Sequence, residues 1–143
     1  MIASSREEGK PRREGVAVET HEHRLPHSPG AATIARSLAE EELGPYLTSE
    51  RAGDLRLLVS ELVTNAVKHA PPESDGMIVL QLERDDTAVR VVVRDGGTHV
   101  DPNLAGFDDP SDGHYGLFFV DTRADAWGFS IDGDKGFWFE MDM

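Results

Sequence analysis

The stretch SELVTNAVKHA, residues 60–70, decides the fold because it lies in the best-patterned part of the chain. Apolar side chains recur there at helical spacing from Leu55 to Ala70, and Pro71-Pro72 ends the run. Ser49 is a residue type that caps helices. The pattern predicts a long helix, capped by Ser49, with a broad apolar stripe that packs on a core.

One edge of this helix is polar, and we call Glu61, Asn65, Lys68 and His69 its polar edge. Glu61 and Asn65 lie one turn apart on the same face, and Lys68 and His69 continue that side. Two interpretations are open. The edge is either a solvated face or a Mg²⁺–phosphate site, in which Asn supplies an oxygen ligand, Glu orients or deprotonates a nucleophile, and the basic side chains meet phosphate charge.

The rest of the chain supplies the elements of one α+β domain. Alternating segments predict strands that are mostly hairpin-linked, and segments of helical spacing predict two further helices. The strands are expected at residues 16–25, 77–83, 88–94, 127–131 and 137–141, and the helices at 29–43 (Ser28 as N-cap, Pro29 first) and 116–125. This order predicts a two-layer sandwich with a mixed, mostly antiparallel sheet and the helices on one face.

Composition predicts a disordered arm over residues 1–15 and a single domain over residues 16–143. The arm is polar, mixed in charge and without the apolar stretch of a signal peptide. No run approaches the roughly 18 apolar residues of a membrane span. The chain contains no cysteine, which excludes disulfides and thiolate metal sites and is compatible with the cytoplasm. We therefore expect a cytoplasmic protein with no membrane partner.

The charge balance argues against nucleic acid as a partner. The chain has 27 Asp and Glu against 14 Lys and Arg, a formal net charge of -13. Binding to a phosphate backbone needs a basic surface, and none is evident here. The acidity either keeps the protein in solution or provides a face for a basic partner protein.

A second candidate feature is Asp95-Gly96-Gly97, which follows the apolar run Val91–Val93. Asp-Gly is a common turn pair, so a plain turn is one interpretation. In the other, Asp95 presents a carboxylate to an amino group such as the exocyclic amine of adenine, and Gly97 allows the base to approach the backbone.

The third feature is Gly113-His114-Tyr115-Gly116-Leu117, which opens the short helix after a long irregular segment. Residues 95–113 contain four Gly, two Pro and five Asp without periodicity, which is typical of a functional or mobile loop. The glycines either mark a simple helix start or open a helix N-terminus for an anion. The pattern is not a Walker loop, because no Gly-Lys-Ser/Thr follows.

Taken together, these features resemble the GHKL (gyrase, chaperone, histidine kinase) ATP-binding fold. Glu61-x-x-x-Asn65 is similar to the N box, Asp95-x-Gly97 to the G1 box and Gly113-x-x-Gly116-Leu117 to the G2 box. Residues 60–70 and 120–128 also resemble small anti-sigma factors of that superfamily. The resemblance covers about residues 20–143.

The resemblance implies a role for each box. Asn65 would hold Mg²⁺ between the ATP phosphates, Glu61 would be the general base, and Asp95 would bind the adenine amine. Gly97 would line the base pocket. The segment 98–115 would form a lid whose end cradles the phosphates. The residues implied to bind ATP or ADP are Asn65, Lys68, His69, Asp95, Gly97, Gly113, Tyr115, Gly116 and Leu117.

The same resemblance implies an Mg-ATP-binding regulator of the anti-sigma type, a serine/threonine kinase that phosphorylates a small antagonist protein. A sigma factor would be its other partner. Family members form dimers through the first strand and helix, so a homodimer is an open alternative to a monomer. A second hypothesis is a nucleotide-gated binding module without phosphotransfer. Two departures from the family favour this second hypothesis. Family members often carry a Thr near the start of the last strand, where it supports the adenine-binding Asp, and this chain has Gly136 there. In addition, residues 95–113 contain no Lys or Arg.

Three histidines, His21, His23 and His27, lie close together in the sequence. Such a group can indicate a metal site, but the spacing falls on a strand and turn and no helical His pair is present. We do not expect a metal site there.

Overall fold

The computed structural model describes residues 18–69, 75–95, 116–130 and 136–143. The predicted arm, residues 1–15, lies outside them. The elements are β1 (Glu19–Pro26), α1 (Ala31–Leu43), a 3-10 turn (Gly44–Tyr46), α2 (Ser49–His69), β2 (Met77–Arg84), β3 (Ala88–Arg94), α3 (Gly116–Arg123), β4 (Ala126–Ser130) and β5 (Gly136–Asp142). Each predicted helix and strand is therefore present, with ends that differ by a few residues.

The five strands form one sheet in the order β1-β2-β3-β5-β4. All four described pairings are antiparallel, and the centre of the sheet pairs Leu80 with Val93 and Val91 with Phe139. β2–β3 and β4–β5 are pairs of consecutive strands, whereas the helices connect β1 to β2 and β3 to the edge strand β4. The predicted α+β sandwich with a mostly antiparallel sheet is confirmed.

The helices lie on one face of the sheet. Alternate residues of β2, β3 and β5 point to that face, as the two-residue period of a strand requires. They form the main core together with buried residues of α1 and α2, among them Leu55, Leu58, Val59, Ile78, Leu80, Val91, Val93, Phe137 and Phe139. Trp127 of β4 stacks on Phe137 with ring centres 5.5 Å apart. This core holds α2, and with it the polar edge, in a fixed position over the sheet.

The opposite face of the sheet carries a small second cluster of Val92, Ala126 and Trp138. The Arg90 guanidinium lies 4.3 Å from the centre of the Trp138 ring, so its charge covers an aromatic face. Arg94 crosses the same face and donates to Gln81 at 2.6 Å and to Glu22 at 3.1 Å. This face is therefore built from buried apolar groups with charged groups lying across them.

Both predicted helix caps are wrong by one or two residues. Gly30 is the N-cap of α1, and Ser28 contributes only its backbone carbonyl, which accepts the Ala31 N–H at 3.0 Å. At the start of α2 the Thr48 hydroxyl accepts the Arg51 N–H at 3.2 Å, so Thr48 is the cap and Ser49 is the first helical residue. Thr and Ser are both capping types and stand side by side, so residue type alone could not choose between them.

None of the helices in the described ranges combines the length and the apolarity that a membrane crossing needs.

Candidate functional site

Asn65 is the residue of the polar edge that has a buried side-chain atom without a hydrogen-bond partner among the described residues. It lies on α2, one turn after Glu61, and is partly buried. Its Nδ2 atom is buried and has no hydrogen-bond partner among the described residues. Leaving a buried polar group unpaired costs about 1–3 kcal/mol, so a residue in this state is a candidate for binding something else.

The carboxamide of Asn65 fits a hard cation. Its oxygen and nitrogen exchange places when the group turns by half a rotation, and the hydrogen-bond network decides between them. No protein partner among the described residues holds Nδ2 in place. The oxygen can therefore turn toward a ligand such as Mg²⁺, which prefers oxygen donors.

Glu61 is the second member of the site. Burial disfavours its charged form and raises the pKa of the carboxyl above its usual range, while the Lys68 cation opposes this shift. A glutamate with a raised pKa is a stronger base than an exposed one. The environment of Glu61 thus makes its carboxylate a stronger base than that of an exposed glutamate.

The remaining residues of the polar edge lie at the end of α2. Lys68 is exposed and stands seven residues after Glu61 on α2, a spacing that returns to the same side of the helix. His69 is the last residue of α2, and its side chain lies outside the described structure. The predicted grouping of Glu61, Asn65 and Lys68 on one edge is therefore present.

Asp95 directly follows β3 and is partly buried. The residues of β3 that point toward the helices include Val91 and Val93. Continuing this alternation by one step places Asp95 on the same side of the sheet, the side on which α2 packs. Asp95 therefore follows β3 on the face of the sheet that carries α2.

The other predicted nucleotide contacts are described only in part. Gly97, Gly113 and Tyr115 lie outside the described residues. Gly116 and Leu117 are the first two residues of α3, as the glycine pattern predicts, and only their backbone is described.

Gly136, which the resemblance places where family members carry Thr, is the first residue of β5. A Cβ atom at Gly136 would lie 2.9 Å from Arg94 Cγ and 3.1 Å from Val92 Cγ1, so it would point away from the helices and from Asp95. The next residue, Phe137, faces the helices and is buried in the main core. Gly136 and Phe137 therefore point to opposite faces of the sheet, and the predicted effect of Gly136 on adenine binding stays a prediction.

A group of four ionic side chains, which the sequence reasoning missed, joins α2 to the end of α3. Arg123 donates to Asp54 at 3.2 Å, and Arg51 donates to the carboxylate of Asp125. We call Arg51, Asp54, Arg123 and Asp125 the α2–α3 clamp. Asp54 stands seven residues before Glu61, a spacing that places both on one helix face and could have drawn attention to it.

Two of the three histidines bind a carboxylate of α1. His21 Nδ1 lies 2.9 Å from Glu42 Oε1, and His23 Nε2 lies 2.7 Å from Glu42 Oε2. We call these three residues the histidine contact, which joins the edge strand β1 to α1. Within the described ranges no group of three or more His, Cys, Asp or Glu side chains is arranged to hold a metal ion.

This chain is similar to parts of two kinds of known protein. A sensor histidine kinase, PdtaS of Mycobacterium tuberculosis, is 31% identical over 116 residues, which are 78% of this chain and 22% of that protein. The anti-sigma F factor of Pasteuria penetrans is 42% identical over 71 residues, 48% of this chain and 46% of that protein. The chain thus matches less than half the length of either relative.

The family model described as histidine kinase-like ATPase domain matches residues 25–141. The matched range contains the whole polar edge, Asp95, the last two residues of β1, all of β2, β3 and β4, and all of β5 except its last residue. Because the match extends over most of the chain, the protein belongs to the family of histidine kinase-like ATPase domains.

Proposed function

We propose that this chain binds Mg-ATP and acts as a cytoplasmic regulator of the anti-sigma type, transferring phosphate from ATP to a Ser or Thr hydroxyl of a small antagonist protein. The observation that carries the proposal is the polar edge, where a buried amide without a described protein partner stands one turn from a glutamate with a raised pKa. The family and the anti-sigma F relative support it.

Each residue of the site has a task in this proposal. Bound Mg²⁺ and ATP would supply the transferable phosphoryl group and neutralise its charge. Asn65 would offer its carboxamide oxygen to the metal, and Asp95 would accept a hydrogen bond from the adenine amine. The Gly116 end of α3 would direct backbone N–H groups at the phosphates.

Glu61 would act as the general base. The antagonist hydroxyl would attack the γ-phosphorus as its proton passes to the Glu61 carboxylate, and the bond to the leaving ADP oxygen would break. The carboxyl must be ionised to accept a proton, so the transfer rate should rise with pH through the raised pKa of Glu61. The antagonist is a substrate in this scheme, and a sigma factor is the second partner.

A second candidate function is a nucleotide-gated binding module that transfers no phosphate. One observation favours it: residues 95–113 contain five Asp and no Lys or Arg. This composition offers no fixed positive charge to the γ-phosphate from that segment. In this alternative the chain would still bind Mg-ATP and a partner, but Glu61 would have no catalytic task.

Isothermal titration of the purified protein with ATP and with ADP, each with and without Mg²⁺, tests the shared part of both candidates. Micromolar, Mg²⁺-dependent binding is expected, and no heat at millimolar nucleotide would overturn the proposal. Transfer of label from γ-labelled ATP to a candidate antagonist then separates the kinase from the module. Arg56→Ala is a matched control for site variants, because Arg56 lies on the opposite side of α2 from Asn65.

A further inference from the structure

The α2–α3 clamp consists of two ion pairs that join the first half of α2 to Arg123, the last residue of α3, and to Asp125, two residues beyond it. Asp54 and Arg51 lie one turn apart on α2, and they bind Arg123 and Asp125 respectively. Asp125 also accepts the backbone N–H of Asp142 at 2.7 Å, so β5 is tied to the same point. One cluster therefore connects two helices and the last strand.

Arg51 also closes the end of α3. Its Nη1 donates to the carbonyl oxygen of Arg123, the last residue of α3, at 3.4 Å, and its Nη2 donates to the carbonyl oxygen of Asp142 at 3.4 Å. The final carbonyls of a helix have no partner within the helix, and a basic side chain beside them is favourable. The end of α3 is thus held both through side chains and through its backbone.

The clamp lies on the same stripe of α2 as the candidate site. Glu61 follows Asp54 by seven residues and Asn65 follows Glu61 by four, and both spacings return to the same helix face. Along the helix axis, Glu61 lies about 10 Å from Asp54. On α3 the distance from Arg123 back to Gly116 is also about 10 Å. A short rigid helix thus connects the clamp to the residues that open α3.

We propose that Arg51, Asp54, Arg123 and Asp125 are positioning residues of the nucleotide site. By fixing one end of α3 against α2, they set where the Gly116 end stands relative to Glu61 and Asn65. The inference rests on the proposed binding of Mg-ATP. The clamp would raise the affinity for Mg-ATP without touching the nucleotide.

A purely stabilising role accounts less well for the clamp. Its side chains are 26–39% exposed, and ion pairs at such positions contribute little to the free energy of unfolding. A small displacement of a phosphate-binding helix, by contrast, weakens every hydrogen bond that its first turn makes. The clamp should therefore affect nucleotide affinity more than stability.

Charge reversal and rescue test this inference. Asp54→Arg and Arg123→Asp should each weaken Mg-ATP binding about fivefold or more, because each places like charges together. The double variant restores opposite charges and should return the Kd to within about twofold of the wild type. Glu40→Arg is the matched control: it breaks the 2.8 Å ion pair between Arg56 and Glu40, away from α3, and should leave the Kd unchanged.

Titration calorimetry gives the Kd values, and hydrogen exchange of residues 116–123 gives a second readout. Faster exchange of α3 in both single variants, with protection regained in the double variant, is the expected result. Single variants that bind like the wild type, or a double variant no better than either single, would overturn the inference alone. A wild-type protein that binds no Mg-ATP would overturn the proposed function and the inference with it.

Discussion

The histidine contact and the polar edge of α2 differ in a way that residue type does not reveal. His21, His23 and Glu42 are residue types that often carry chemistry, yet both oxygens of the Glu42 carboxylate are engaged by the two imidazoles. Asn65 has a buried amide nitrogen with no partner among the described residues. A polar group whose partners lie within the protein is explained by the fold, whereas a buried one without them is a candidate for binding a ligand.

Glu61→Gln is expected to have the largest effect. The variant keeps the size and hydrogen-bonding ability of the side chain but cannot accept a proton, so phosphotransfer should fall by about 100-fold or more while the Kd of Mg-ATP changes little. Label transfer and calorimetry measure the two quantities. Glu50→Gln, in the exposed first turn of α2, is the control. An undiminished rate would remove Glu61 from the mechanism and favour the binding module.

Asn65→Ala tests the polar edge through binding. Loss of the carboxamide removes a ligand to a charged group, so the Kd of Mg-ATP should rise about thirtyfold or more. The melting temperature should be equal to or higher than that of the wild type, because the unpaired Nδ2 atom is removed as well. A variant that melts earlier and still binds nucleotide would show that Asn65 has a structural role.

Glu42→Ala tests the histidine contact through stability. It removes two hydrogen bonds between β1 and α1 and should lower the free energy of unfolding by about 1–2 kcal/mol. Nucleotide affinity should stay within about twofold of the wild type, since the contact lies on a different helix from the polar edge. Urea denaturation measures the stability and calorimetry measures the affinity. A large loss of affinity would contradict the claim that the histidine contact, unlike the polar edge, has no part in nucleotide binding.

The smallest expected effect is on the pH dependence of stability. The raised pKa of Glu61 means that the protonated form favours the folded state below the usual glutamate pKa, and that this stabilisation is lost as the pH rises through the folded-state value. Glu61→Gln lacks this titration. As the pH rises from the usual glutamate pKa through the folded-state pKa of Glu61, the variant should therefore become more stable relative to the wild type. Stability curves that run parallel for the two proteins would contradict a raised pKa of Glu61.

Much of the fold follows from local patterns. The apolar stripe from Leu55 onward predicts α2, and alternation predicts the hairpin of β2 and β3, because both periods are set by backbone geometry. The same patterns place Glu61 and Asn65 on one edge. The strand order β1-β2-β3-β5-β4 confirms the predicted layer arrangement, although no local pattern specifies the register.

The parts that sequence could not supply depend on distant neighbours. The ion pair of Asp54 and Arg123 joins residues 69 positions apart, which no local spacing indicates. The orientation of Gly136 depends on the pairing of β5 with Arg94, and a shift of one residue reverses the face of a strand. The unpaired state of Asn65 likewise depends on what the fold brings near it.

A crystal structure of the protein with Mg²⁺ and a non-hydrolysable ATP analogue tests the central claim most directly. The expected result places the Asn65 carboxamide oxygen about 2.1 Å from Mg²⁺. The Asp95 carboxylate is expected within hydrogen-bond distance of the adenine amine. A nucleotide bound away from α2, or an Asn65 amide that touches neither metal nor ligand, would contradict the claim that the polar edge is the nucleotide site.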